Sequence, residues 1–313
     1  MGSENRDYFR DEAKRWGGGG GGSLNIPMPG RRSITFWLLV INAAVFLVDG
    51  ALGRLFGQVA IGPGGLAAMN PIESLGYFSA DTAATGFQVW RVLTFQFLHG
   101  GLGHLIGNLL GIFCFAPIIE SYLGSRRFLA FYLLCGVAGA LGYLVLWGVG
   151  FVISASWVPL VGASGGVFGI LAAAAVVAPN TKVLLFFVIP VPLRVLVLGV
   201  LFIAAYVVLA QGATPNANAG GEAAHLGGAL LGFVLVKNAG LLNWADRVDT
   251  AAVSPAAVKG KVEAGRFERK RKQEEALEAE VDRILAKVAD RGLASLTSKE
   301  KKTLNDATAA KQK

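Results

Sequence analysis

Charge is what this chain has least of. Only 16% of its 313 residues are charged, against about a quarter in an ordinary soluble domain. Cysteine is nearly absent too. Cys114 and Cys135 are the only two, both lie inside apolar runs, and packing suits them better than a disulfide framework. With 53% hydrophobic residues the chain has too much apolar surface to stay disordered. What remains is a polytopic membrane protein.

The positive charge that is present sits at the ends. Residues 1–33 hold six Lys/Arg, residues 34–236 hold six, and residues 237–313 hold seventeen. Basic flanks around an apolar block fit the cytoplasmic ends of a membrane protein. The alternative for the tail is an arm that binds RNA or lipid headgroups. No secretory signal is expected, because the first apolar run starts only near Ile34 and no small-residue cleavage site ends it. Gly17–Gly22 is an uninterrupted glycine run and reads as a flexible linker.

Six apolar runs predict six membrane helices in an all-α polytopic bundle: about 34–52, 104–122, 127–149, 164–178, 193–210 and 222–237. The fourth is too short for a span of about 20 residues, so one end should stop inside the membrane, where irregular backbone needs protein or water around it. The long connection 53–103 contains Pro63, Pro71 and Trp90-Arg91 and should lie partly in the bilayer interface. Val183–Val188 followed by Pro190 and Pro192 predicts an extended surface segment, with a kinked start of the fifth helix as the alternative. Arg31-Arg32, Arg126-Arg127, Lys182 with Arg194, and the tail mark alternate connections, which places both ends in the cytoplasm. The division is then a flexible N-terminus over 1–33, a membrane domain over 34–240 and a basic, partly helical tail over 241–313. In the tail, Val281, Ile284, Leu285 and Val288 fall on one helical face. Thr297 to Glu300 has the pattern of a capping box that opens a second helix.

The chain has three histidines, His99, His104 and His225, all in or beside apolar helices. An ionisable group there is costly and points to function. Ser164 lies in Gly162-Ala-Ser-Gly-Gly166, a G-x-S-x-G pattern. The soluble-hydrolase context is missing, since the serine opens a short apolar helix. Serving as that helix's N-cap is one reading of it. The other is a nucleophile beside free backbone N–H groups and the positive end of a helix dipole, which can hold an oxyanion. His225 precedes Gly228 and Gly232, a small-xxx-small pair that permits close helix contact. A partner helix carrying Gly165, Gly169 and Ala173 would bring Ser164 to His225 as an activated nucleophile, with Phe168 packed on the imidazole. His104 and Asn108, four apart, share a helix face and offer two donors to an oxyanion, or an interhelical polar contact for Asn108.

Trp90-Arg91, His99-Gly-Gly-Leu-Gly-His104-Leu-Ile-Gly-Asn108, Glu120, Gly162-Ala-Ser164-Gly and Ala224-His225-Leu-Gly-Gly228, in this order, resemble a rhomboid intramembrane serine protease across about residues 34–238. The resemblance implies a rhomboid six-helix bundle and a Ser164–His225 dyad without a carboxylate. It implies an oxyanion hole from His104, Asn108 and the Ser164 N–H. His99, Trp90, Arg91 and Glu120 would hold the first outer loop and second helix, with Gly162, Phe168 and Gly228 also supporting. Substrates would be transmembrane proteins in the bilayer. No metal, cofactor or nucleic acid is expected, and the tail's partner is left open. Phe168 departs from members that carry tyrosine there. Glu222 matches no family pattern and reads as an acidic residue near a helix N-terminus, with tuning of His225 as the alternative. The basic tail resembles extensions of some bacterial members, which suggests a bacterial cytoplasmic membrane. A non-catalytic rhomboid-like protein that binds clients would normally lack the serine or the histidine. A transporter would show an internal repeat and paired intramembrane charges, and neither is evident.

Overall fold

The computed structural model describes residues 33–84, 87–152, 155–185, 188–211, 218–247 and scattered positions from 268 to 304. The N-terminal glycine run and Arg31-Arg32 lie outside the described residues. The chain divides into two compact units, Met1–Arg247 and Val248–Lys313.

The first unit is a helical membrane bundle. Its membrane helices are α1 (Ile34–Phe56), α2 (Leu102–Leu123), α3 (Ser125–Gly148), α4 (Ser164–Val177), α5 (Leu193–Gln211) and α6 (Ala219–Lys237). Five are long and apolar enough to cross a bilayer; α4 is the short one. At 14 residues its length is about 21 Å, well short of a hydrocarbon core of about 30 Å. The sequence reading placed all six, and its boundaries differ from these by at most a few residues.

Glycine lets α3, α4 and α6 meet almost backbone to backbone. A methyl group at Gly228 or Gly232 of α6 would collide with the Gly165 or Gly169 carbonyl of α4. A methyl at Gly139 of α3 would lie 2.9 Å from the Ala224 carbonyl of α6. Gly111 of α2 abuts the Val167 side chain of α4. These pairings fix direction: α4 and α6 run the same way, and α3 runs against α6. Around the contacts Ile112, Phe128, Phe131, Tyr132, Cys135 and Ile170 are fully buried.

One end of the bundle is tied by charge. Glu120, near the end of α2, accepts from the Ile34 and Thr35 N–H groups at 2.7 and 2.9 Å and from the Thr35 and Ser125 hydroxyls at 2.7 and 2.6 Å. It thus satisfies donors that α1 leaves free at its N-terminus. Arg127 at the start of α3 pairs with Asp246 just beyond α6. The start of α1, the end of α2, the start of α3 and the end of α6 therefore share one face.

The opposite face is built by the long first connection. It holds a two-stranded antiparallel ribbon, β1 (Val59–Ile61) and β2 (Ala67–Met69), and short helices at Pro71–Gly76, Ala80–Ala84 and Arg91–Thr94. Asp49, two turns before the end of α1, accepts from the Ile72 and Glu73 N–H groups at 2.7 and 3.1 Å. Between α4 and α5 the chain is extended, as its prolines suggested, but it is paired. β3 (Lys182–Leu185) and β4 (Ile189–Pro192) form a hairpin with Pro190 opposite Leu184, on a two-stranded ribbon whose edges tolerate proline. The alternative of a kinked helix is excluded.

In the second unit residues 279–288 are helical. Ile284 is buried there, whereas Leu285, expected on the same face, is exposed. Two adjacent positions on a helix are about 100° apart, and only one of them reaches the covered side. Ser298, Lys299, Lys301, Thr303 and Leu304 are helical, and Thr297 accepts from Lys301 N–H at 3.0 Å. Glu300 of the expected capping box lies outside the described residues.

Candidate active site

The segment that delivers Ser164 is held by the first connection. Phe78 and Leu160 exchange backbone hydrogen bonds of 3.0 and 2.6 Å, and Gly162 N–H donates to the Phe95 carbonyl at 2.9 Å. Ser164 then begins α4. Ala163 occupies the N-cap position, so the capping role weighed for Ser164 is not what it performs. Val167 N–H is the first to bond back into the helix, to Ala163 at 3.0 Å. The N–H groups of the turn before it are the ones a helix leaves free.

Gly162 adopts φ +130°, a backbone region that favours glycine. A methyl group there would lie 2.7 Å from His104 Nε2 and 3.6 Å from Ser164 Oγ. Those two polar atoms thus face the same small space, kept open by the missing side chain. Asn108 is buried one turn along α2, and its Nδ2 donates to the His104 carbonyl at 2.9 Å. One of its two amide hydrogens is committed there and the other is free to serve a ligand.

His225 enters from α6, one turn before the Gly228–Gly165 contact. Its ring stacks on Phe168 with centroids 4.0 Å apart and planes 6° apart. Its Nδ1 lies 2.9 Å from Glu222 Oε2. No hydrogen bond links Ser164 Oγ to His225 among the described residues.

The supporting residues divide into two groups. Trp90 Nε1 donates to the Leu75 carbonyl at 3.3 Å. Arg91 donates to the Tyr77 carbonyl at 2.7 Å and to Ser74 at 3.1 and 3.2 Å, pairs with Gln88, and lies over the Tyr77 ring. Burial pulls the Arg91 pKa down, and Tyr77 partly opposes this. Both residues fasten the first connection. His99 is buried with its ring 5.2 Å from that of His104. Burial, reinforced by His104 and opposed by the Phe97 carbonyl, lowers its pKa to about 4, so it stays neutral near pH 7. Glu120 acts at the far end of α2, away from the serine.

Residues 86–239 match the family model described as the Rhomboid domain. The chain carries a rhomboid domain. The Rhomboid protease GluP of Bacillus subtilis is 37% identical over 93 residues, 30% of this chain and 17% of that protein. The Rhomboid protein 1, mitochondrial, of Saccharomyces cerevisiae is 34% identical over 138 residues, 44% of this chain and 38% of its own length. The RHOMBOID-like protein 12, mitochondrial, of Arabidopsis thaliana is 29% identical over 214 residues, 65% and 57%. The chain therefore spans less than two thirds of the length of each of these relatives. Residues 265–308 match a second family, one of unknown function.

One feature escaped the sequence reading. The Phe95 carbonyl positions the serine segment through backbone alone, which leaves no side-chain signal. Glu222 was weighed as a residue that tunes His225, and the structure brings the two side chains into contact.

Proposed function

We propose that this chain is a serine endopeptidase that cleaves transmembrane segments of membrane-protein substrates. The observation that carries the reading is the convergence on one end of α4. Ser164 Oγ and His104 Nε2 flank Gly162, and the Gly165–Gly228 contact draws the His225 turn of α6 to the same end. Relatives named as rhomboid proteases support the activity.

In this reading His225 Nε2 takes the proton of Ser164 Oγ as the oxygen adds to the scissile carbonyl. The oxyanion is met by His104, by the free amide hydrogen of Asn108 and by the Ser164 N–H. The same proton passes from Nε2 to the leaving amine as the C–N bond breaks. Water then adds to the acyl-enzyme and gives one proton to His225, which passes it to Ser164 Oγ as the acyl C–O bond breaks and the carboxylic acid leaves. The short α4 leaves room for water at membrane depth. A substrate helix must unwind locally, so small or helix-weakening residues near the cut favour cleavage. The face holding Arg126, Arg127, Lys182 and Arg194 is cytoplasmic, and the serine opens to the other side. The membrane is the cytoplasmic membrane of a bacterium.

Purified protein in detergent tests the reading against a model single-span substrate. Wild type is expected to cleave it and Ser164→Ala to lose cleavage entirely. Cleavage retained by Ser164→Ala would overturn the assignment.

A further inference from the structure

Among the described residues Glu222 is the one carboxylate that touches the proposed catalytic groups. Its Oε2 lies 2.9 Å from His225 Nδ1, and the two side chains are 20% and 14% exposed. An acidic residue in the first turn of a helix is ordinarily accounted for by the helix dipole. Here the carboxylate is spent on the imidazole one turn further on, while the ring's flat face is covered by Phe168.

The chemistry of that pair is directional. An ionised carboxylate only accepts hydrogen bonds, so Nδ1 carries the hydrogen and Nε2 is left with its lone pair. The Phe168 stack fixes the plane of the ring but is indifferent to which nitrogen points where, because a flip about the Cβ–Cγ bond keeps the ring in that plane. Glu222 removes this ambiguity. It also faces the imidazolium that forms when His225 takes a proton.

We infer that Glu222 is a positioning residue that holds His225 in the Nδ1–H tautomer with Nε2 toward Ser164, so that this chain works as a serine–histidine–glutamate triad rather than a bare dyad. The inference rests on the serine-hydrolase reading above. It adds a third member at a position three residues before the histidine, supplied by the same helix.

Glu222→Gln keeps the size and replaces the acceptor by an amide that can also donate to Nδ1, which stabilises the wrong tautomer. The expected loss in kcat is about a hundredfold. It stays below the roughly 10⁴-fold seen where a fully buried carboxylate is replaced, because Glu222 is partly exposed and Phe168 still holds the ring. KM and the melting temperature in detergent stay near the wild-type values, and labelling of Ser164 by a fluorophosphonate slows in parallel with kcat. A helix-dipole role alone would leave kcat and labelling untouched, so rates within about twofold of wild type would overturn the inference.

A second measurement needs no variant of Glu222. With only three histidines in the chain, ¹⁵N-histidine spectra of the intact protein can be resolved, and His225 assigned by its loss in His225→Gln. Nδ1–H on His225 is the expected result, and Nε2–H would overturn the proposal even if Glu222→Gln failed to fold. The two readings also fail differently. A wild-type chain that takes up no fluorophosphonate overturns the hydrolase assignment and this inference together. Normal labelling of both wild type and Glu222→Gln overturns this inference alone.

Discussion

His99 shows what burying a titratable ring costs. Its pKa is lowered from 6.5 to about 4 in the folded chain, chiefly by burial. Between those values the unfolded chain binds a proton that the folded one refuses. Stability is then complete above pH 6.5 and is lost as pH falls toward 4, by at most about 3 kcal/mol at 1.36 kcal/mol per unit. Glu73 works in the opposite sense. Burial and Asp49 raise its pKa, so acidification through that raised value relieves a penalty. A comparison within one variant separates the two: wild type in detergent should melt at falling temperatures from pH 7 to pH 4.5, and His99→Gln should show a flatter decline. An equal decline in both would place the acid sensitivity elsewhere. The same residue scale explains Gly162. Its φ of +130° and the closeness of His104 leave no room for a side chain, so its place in the G-x-S-x-G pattern is a requirement of the backbone.

Among the elements, contact quality depends on where each glycine sits. Gly228 touches the Gly165 backbone, while Gly199 on α5 has nothing within 4 Å of the position a Cβ would take. Gly228→Ala forces α4 and α6 apart and should cost about 3 kcal/mol or more, since a backbone yields less than a side chain in an overpacked core. Gly199→Ala should be neutral or stabilising by at most about 1 kcal/mol. Melting in detergent checks both, and similar shifts in the two variants would deny the α4–α6 contact its role. This contrast also marks what the sequence makes legible. Apolar length alone located six helices, because burial of backbone polar groups in lipid leaves few alternatives to a helix. The small-xxx-small spacing of Gly228 and Gly232 forecast a close helix contact, and Gly165 and Gly169 are what they meet. The connection over 57–101 was not legible. Its ribbon, its short helices and its bond from Phe95 to Gly162 are set by backbone pairing with distant residues, which no local periodicity encodes. The Leu285 face failed for a related reason: periodicity gives an angular position but not the width of the covered side.

For the whole molecule, charge and packing make independent statements about topology. Packing puts the start of α1, the end of α2, the start of α3 and the end of α6 on one face, through Glu120 and through Arg127 with Asp246. Charge puts Arg126, Arg127, Lys182 and Arg194 on that same face, and loops rich in Lys and Arg stay in the cytoplasm. Arg54 and Arg91 lie on the other side, but Arg91 is committed to the Ser74 and Tyr77 carbonyls. The bundle is thus expected to cross six times, with α4 completing its crossing through the irregular segment before Ser164. Single cysteines at exposed positions read this directly. In intact cells a membrane-impermeant maleimide should label Gln58→Cys and Ala155→Cys. It should reach Asn180→Cys and Asn243→Cys only after the membrane is opened. Cys114 and Cys135 lie within α2 and α3, and Cys135 is fully buried, so background labelling should be low. Labelling of the Asn180 and Asn243 variants alone would invert the orientation and keep the bundle. A split between those two positions would break the six-span topology, because they lie two crossings apart and must share a side if α5 and α6 both traverse the bilayer.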